Sequence, residues 1–342
     1  MCALDLKRIK SIDKYQCIYD IHGFTFCVEG IANKIFLREY GWAKVDEAPK
    51  ISLYVKPSKG QEILPTKSAG SLKGMYIPFK ENEDVLWYEE GVPLNVLMSY
   101  CEALMYWPDK TILHAGGVAK EGEALLFVGG GNVGKTSIVL NLLREEYEYL
   151  GDDWIVIDEN KAYPLPKTIR VFDYNLKNKE IAKSVLGIKR FLYKPFFKLL
   201  ELGTKYAPHR YLRYGLEVCK PMFHVDLKKL NPKAKIALPT KISKVFYLER
   251  ENVNKIKVID DVTPEELAER MAYINLYEWN FFFKEYYRYA YLYGFRNIRI
   301  ENIFHHYYDI MYGAFKRANL YRIIIPQKMD LTKVKMTPII GR

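Results

Sequence analysis

Alternating apolar and polar positions mark the first part of the chain. Gln16-Cys-Ile-Tyr-Asp-Ile and Phe24-Thr-Phe-Cys-Val flank His22-Gly23, which predicts a β-hairpin, and Ile51-Ser-Leu-Tyr-Val predicts another strand. Gly60, Pro65, Gly70 and Gly74 then punctuate a loop-rich stretch. Over 93–107 the period changes. Apolar Leu94, Leu97, Met98, Cys101, Leu104 and Met105 predict an amphipathic helix closed by Pro108.

The next stretch is denser in signals. Thr111-Ile-Leu-His-Ala-Gly-Gly-Val-Ala reads as a strand and Glu121-Gly122 as a turn, and Ala124-Leu-Leu-Phe-Val is a buried strand running straight into glycines. A helix follows over 136–144, then a strand over Tyr149-Leu-Gly-Asp-Asp-Trp-Ile-Val-Ile with acids near its start. Beyond Lys167-Thr-Ile-Arg-Val come helical pieces broken by Pro195, Pro208 and Pro221, and Lys244-Val-Phe-Tyr-Leu-Glu reads as a strand. Thr263-Pro264-Glu265-Glu266 supplies an N-cap, a first-turn proline and a capping-box glutamate, opening a long aromatic helix ended by Gly294. A second helix over about 303–317 and a last strand, Tyr321-Arg-Ile-Ile-Ile-Pro, complete the pattern.

Composition narrows the class. Of 342 residues, 49% are hydrophobic and 27% charged, an ordinary globular balance rather than a disordered one. No run approaches the ~20 apolar residues needed to cross a bilayer, and Asp5, Lys7 and Arg8 interrupt any secretory core, so the expectation is a cytoplasmic protein without a membrane partner. The five cysteines are scattered without C-x-x-C spacing, which gives neither a disulfide framework nor a zinc site. His305-His306 lacks a third ligand at recognisable spacing.

The net charge of +11 is concentrated. Between Lys177 and Lys235 stand 15 basic residues against four acids, an excess equal to the whole net charge. Such a segment can attract an anionic partner or solvate a helical face. Phe191, Tyr193, Phe196 and Tyr206 are interleaved there, as stacking platforms for nucleic acid would require. Leu192, Leu199 and Leu200 alternate with them, which reads more simply as helix core, so nucleic acid is the lesser expectation. The run of tyrosines at 286, 287, 289, 291 and 293 suits core packing or an interface between copies.

Gly129-Gly130-Gly131-Asn132-Val133-Gly134-Lys135-Thr136 satisfies G-x-x-x-x-G-K-[ST] in full, with the strand before it and the helix after it that the motif demands. Glycines let successive backbone N–H groups turn toward phosphate oxygens, and the helix N-terminus adds its positive end. Lys135 reaches the β- and γ-phosphates, and the Thr136 hydroxyl is a hard ligand for Mg²⁺. The expected nucleotide contacts run from Gly129 through Ser137. Asp152-Asp153 is the second element: one carboxylate can hold Mg²⁺ near Thr136, and its neighbour can accept a proton from an attacking hydroxyl. His114 is the third, an imidazole able to assist proton transfer if it faces the phosphates.

From Leu113-His114-Ala115 through Ile157, about 45 residues, the chain resembles the catalytic domain of HPr kinase/phosphorylase. The shared parts are a histidine on the strand before the loop, the loop, a short helix and the tandem acids. Gly151-Asp152-Asp153 after a G-K-T loop is also similar to phosphoenolpyruvate carboxykinase, whose nucleotide site shares that fold. The resemblance implies a mixed α/β P-loop nucleotide-binding fold unlike the standard parallel-sheet NTPase. It implies ATP and Mg²⁺, with His114, Lys135 and Asp152 catalytic and Thr136 and Asp153 on the metal. The carboxykinases favour Asp153 for metal and Asp152 for base, though the pair can be exchanged. On this reading 1–108 is a β-rich region packed on a kinase-like domain, 109–342, with a basic helical insertion at about 177–235 and C-terminal helices.

Two departures limit what carries over. The family has Glu after the loop Ser/Thr where this chain has Ser137, and Lys167-Thr-Ile-Arg-Val-Phe stands where the family has an L-E-x-R-G-L-G signature. The implied activity is phosphoryl transfer from ATP to a hydroxyl of a protein or small anionic acceptor, without HPr itself or the reverse phosphorolysis. A nucleotide-gated binding module is the second reading and a polyanion-binding ATPase the third.

Overall fold

The computed structural model describes residues 16–58, 75–76, 85–89, 91–172, 175–187, 222–294, 296–331 and 334–341, with isolated positions between 193 and 209. The chain forms two compact units, each assembled from three separated stretches. The first comprises 1–114, 156–163 and 263–317, and the second 115–155, 164–262 and 318–342.

In the first unit Gln16–Ile21 pairs antiparallel with Phe24–Glu29, with Ile21 opposite Phe24. His22 and Gly23 take φ of 53° and 94°, the left-handed pair that a two-residue hairpin turn requires. Phe24–Glu29 runs parallel to Leu53–Pro57, which runs parallel to Val85–Tyr88, and Lys44–Val45 and Met75–Tyr76 form the edges of this six-stranded sheet. Helices Ala32–Tyr40 and Leu94–Ala103 pack on each other. The second of these stops short of the 93–107 span that its spacing predicts. Trp107 is drawn onto Phe24, rings 5.8 Å apart, and its indole N–H donates to the Ile21 carbonyl at 3.2 Å.

The N-cap at Thr263 forms, its hydroxyl accepting from the Glu266 N–H at 3.2 Å, and Pro264 sits in the first turn of Pro264–Glu278, while the Glu266 carboxylate pairs with Arg270 at 2.7 Å. The single aromatic helix expected up to Gly294 is two helices. Buried Trp279 leaves helical geometry, its N–H closing the first helix on the Asn275 carbonyl and its carbonyl opening Asn280–Tyr293. Gly294, at φ 67°, ends the second. Ile303–Phe315 packs along Pro264–Glu278. Asn275, fully buried, ties that helix to Thr111–Leu113, donating to the Ile112 carbonyl at 2.6 Å and accepting from the His114 N–H at 3.1 Å. The strand expected over 111–119 therefore breaks at His114 into Thr111–Leu113 and Ala115–Lys120.

The second unit is built on a mixed sheet with strand order Glu148–Gly151, Ala115–Lys120, Glu123–Val128, Thr240–Glu251, Asn319–Pro326, Lys257–Ile259. Glu123–Val128 has an antiparallel neighbour on one side and the parallel strand Thr240–Glu251 on the other. Phe127, Phe246 and Tyr321 fall in register across three parallel strands, their rings stacked at 5.3 and 5.5 Å. Helix Lys135–Leu142 buries Ile138, Val139 and Leu142 in the same core. Ile169–Val171 and Phe223–Val225 form a separate two-stranded ribbon. The architecture is mixed α/β.

Of the basic segment, Lys179–Leu186 is helical. Most of the other helical pieces expected there, with Lys189, Arg190 and Lys194, fall outside the described residues, as does the loop-rich stretch expected around 60–74. Among the described residues no helix is long and apolar enough to cross a membrane.

Candidate functional site

The apolar strand Glu123–Val128 delivers the chain into a turn that only particular residues can make. Gly129 has φ 137°, and a Cβ there would lie 2.7 Å from the Leu248 backbone carbonyl oxygen, so this position demands glycine. Asn132 takes φ 62°, a conformation asparagine tolerates better than most side chains. Gly134, at φ 116°, is the N-cap of Lys135–Leu142 and offers no side-chain cap to its first turn. A Cβ on Gly130 or Gly131 would meet nothing within 4 Å, so the mouth of the loop is open.

Lys135 is only 6% exposed, and its ammonium donates to the Gly129 and Gly130 carbonyls, both at 2.8 Å. The Thr136 hydroxyl donates to Asp152 Oδ2 at 3.0 Å. Asp152 is 5% exposed, and its Oδ1 has no hydrogen-bond partner among the described residues. Burial, and then the charge of Asp153, push its carboxyl up to about 7, against the opposing pull of the Thr136 hydroxyl, Lys135 and Arg170. A buried carboxyl with one oxygen unanswered is costly unless a cation or proton meets it.

Asp152 and Asp153 interrupt the strand expected over 149–157, which forms as Glu148–Gly151 and Ile155–Ile157. Asp153 sits at φ 71°, its carbonyl accepts from the Ala115 N–H at 3.1 Å, and its carboxylate pairs with Arg170 Nε at 3.4 Å. The structure thus brings together the loop, Lys135, Thr136, Asp152 and Asp153. Ser137 is turned into the interior, where its oxygen accepts from the buried Asn175 amide at 3.4 Å. His114 belongs to the first unit, buried, with its backbone N–H held by Asn275.

Three further residues shape the site, and for two of them, Arg170 and Arg250, no local pattern in the sequence announces the role. Gly116, on the neighbouring strand, lies under the site: a Cβ there would come 2.9 Å from Val139 Cγ2, 3.4 Å from Lys135 Cβ and 3.6 Å from Asp152 Oδ1. Arg170 holds Asp153 from the ribbon. Arg250, at the end of Thr240–Glu251, donates to the Val133 carbonyl of the loop at 3.3 Å and to the Pro326, Gln327 and Met329 carbonyls at 3.1–3.2 Å. Leu331 then packs on Gly134, and the Asn141 amide donates to the Leu331 and Val334 carbonyls at 2.6 and 3.1 Å. Only the Gly116-Gly117 pair within an apolar strand hints at a close approach.

The donor set suits a hard cation beside an anion: a hydroxyl, a carboxylate with an unanswered oxygen, a lysine, and an uncapped helix start. Among the described residues no cluster of three or more His, Cys, Asp or Glu is placed to hold a metal by protein ligands alone. A site that binds Mg²⁺ with one or two protein oxygens plus phosphates needs no such cluster. No family model matches the chain, and no curated protein matches it.

Proposed function

We propose that the chain is an ATP- and Mg²⁺-dependent phosphotransferase of the HPr kinase-like P-loop type, transferring the γ-phosphoryl group to a hydroxyl of a protein or small anionic acceptor. The observation that carries this reading is the contact of Thr136 with Asp152, whose second carboxylate oxygen is buried and unanswered beside the glycine-rich loop. The antiparallel partner of the strand leading into the loop supports the fold assignment, because a standard parallel-sheet NTPase has parallel neighbours there.

Each side chain then has a task. The loop's backbone and the helix start bind phosphate oxygens. Lys135 exchanges its two carbonyl contacts for phosphate, and Thr136 supplies a hard oxygen for Mg²⁺. The metal, when bound, neutralises charge that develops on the transferring group. Asp152, raised to about 7 in the ligand-free site and favoured in its ionised form once a cation is beside it, would take the acceptor's proton. Asp153 adds the second negative charge facing the cation, shared with Arg170.

Calorimetry with Mg²⁺ and a non-hydrolysable ATP analogue tests the site. Lys135→Ala should abolish binding, and an unchanged affinity in a folded variant rules the site out. Asp152→Asn should keep the nucleotide while turnover falls about 10²- to 10⁴-fold, the usual contribution of a general base. Asp153→Asn should raise the Mg²⁺ requirement. Loss of Mg²⁺-dependent binding in Asp152→Asn instead would exchange the two roles.

A further inference from the structure

The first unit contains a cleft of about 660 Å³, within the ~300–1,000 Å³ range typical of small-molecule sites. All the residues that line it belong to that unit, and none of them is in the loop at 129–136. The apolar surface it offers comes from half-buried Ile51, Leu104, Tyr106 and Ile300 and exposed Ile298, while Phe24, Trp107, Phe282 and Phe283 in its lining are buried.

The rim is cationic. Lys50 and Arg299 both line the cleft and are exposed, while no Asp or Glu is among the described residues that line it. Arg299 is fixed in two ways. Its guanidinium lies 5.7 Å from the centre of the Tyr106 ring, and the Asn297 side chain accepts from the Arg299 and Ile300 N–H groups, holding the turn that carries it. Ser52, also on the wall, accepts from the Thr25 N–H at 3.1 Å, which leaves its own O–H to donate.

From this juxtaposition we infer that the cleft binds a small organic acid with an apolar body, the body against Leu104, Tyr106 and the isoleucines and the carboxylate toward Arg299 and Lys50. An arginine already held in place loses little freedom on pairing with a carboxylate, and an unopposed basic rim favours the anion over its neutral isostere.

The test uses the full chain and two probes of one shape, 1-naphthoate and the uncharged 1-naphthamide, titrated by calorimetry at low ionic strength. Naphthoate should bind about tenfold more tightly than naphthamide, as expected for a charge-assisted contact. Arg299→Gln, a change at an exposed position, should remove that preference without altering the binding of an ATP analogue. Ala103→Trp, which fills the cleft, should block both probes. Equal binding of acid and amide, a preference that survives Arg299→Gln, or no binding of either probe would each overturn the inference.

Discussion

Replacing Asp152 with asparagine should make the ligand-free protein more stable at alkaline pH. Burial and the neighbouring Asp153 raise the Asp152 carboxyl from its ordinary 3.8 to about 7. Between those two values the folded protein keeps a proton that the unfolded chain gives up. The stability held by the protonated carboxyl is therefore complete below about pH 4 and is lost as pH rises through about 7. At ~1.4 kcal/mol per pH unit, that interval corresponds to about 4 kcal/mol. Asparagine stays neutral throughout and still accepts from Thr136. It leaves a polar atom at the Oδ1 position, as the protonated acid does, so that cost cancels at low pH. Urea unfolding of both proteins from about pH 4 to about pH 8.5, in chelator, measures the difference. The curves should converge at the acid end and separate above neutrality, with the variant ahead by about 2–4 kcal/mol. Parallel pH profiles would refute the claim that this carboxyl is buried and unanswered. Mg²⁺ with an ATP analogue should close the gap, because a cation favours the ionised form.

Arg250→Met removes four carbonyl contacts while keeping an unbranched stem, and should cost about 2–4 kcal/mol of stability and speed proteolysis after Pro326. Unaltered cleavage would mean that Arg250 does not brace the segment that follows. Gly116→Ala forces a methyl group against Val139 and should cost about 1–3 kcal/mol and weaken analogue binding, read by thermal melts and calorimetry together. Asn275→Ala orphans the Ile112 carbonyl and the His114 N–H, a loss of about 2 kcal/mol or more in chemical denaturation.

What the sequence disclosed was local. The hairpin at His22-Gly23, the loop from Gly129 to Thr136, the cap at Thr263 and the tandem acids each depend on residues a few positions apart, where residue type and spacing carry the physics. Breaks inside elements were less legible. The strand stops at His114 because Asn275, far along the chain, captures its N–H, and the aromatic helix divides at Trp279 around its buried indole. Gly116, Arg170 and Arg250 stayed hidden for a related reason. Each meets the loop or its acids only through strand order, and strand order is not periodic in sequence. The interleaving of the two units follows the same logic, since apolar alternation says which face is buried and not which partner covers it.

That interleaving bears on how the protein is made. The loop at 129–136 emerges from the ribosome early, yet the strand it follows pairs in register with Thr240–Glu251, about 120 residues later, and that strand in turn pairs with Asn319–Pro326. The first unit likewise waits for 263–317 to cover its earlier stretches. Neither unit can close on the nascent chain before most of it has been synthesised. Until then the apolar strand Glu123–Val128 has only its hairpin partner, and its other edge stays open to chance pairing. Chaperone dependence during synthesis, and aggregation of fragments that end before Asn319, are the physiological face of a sheet whose central partners are distant in sequence.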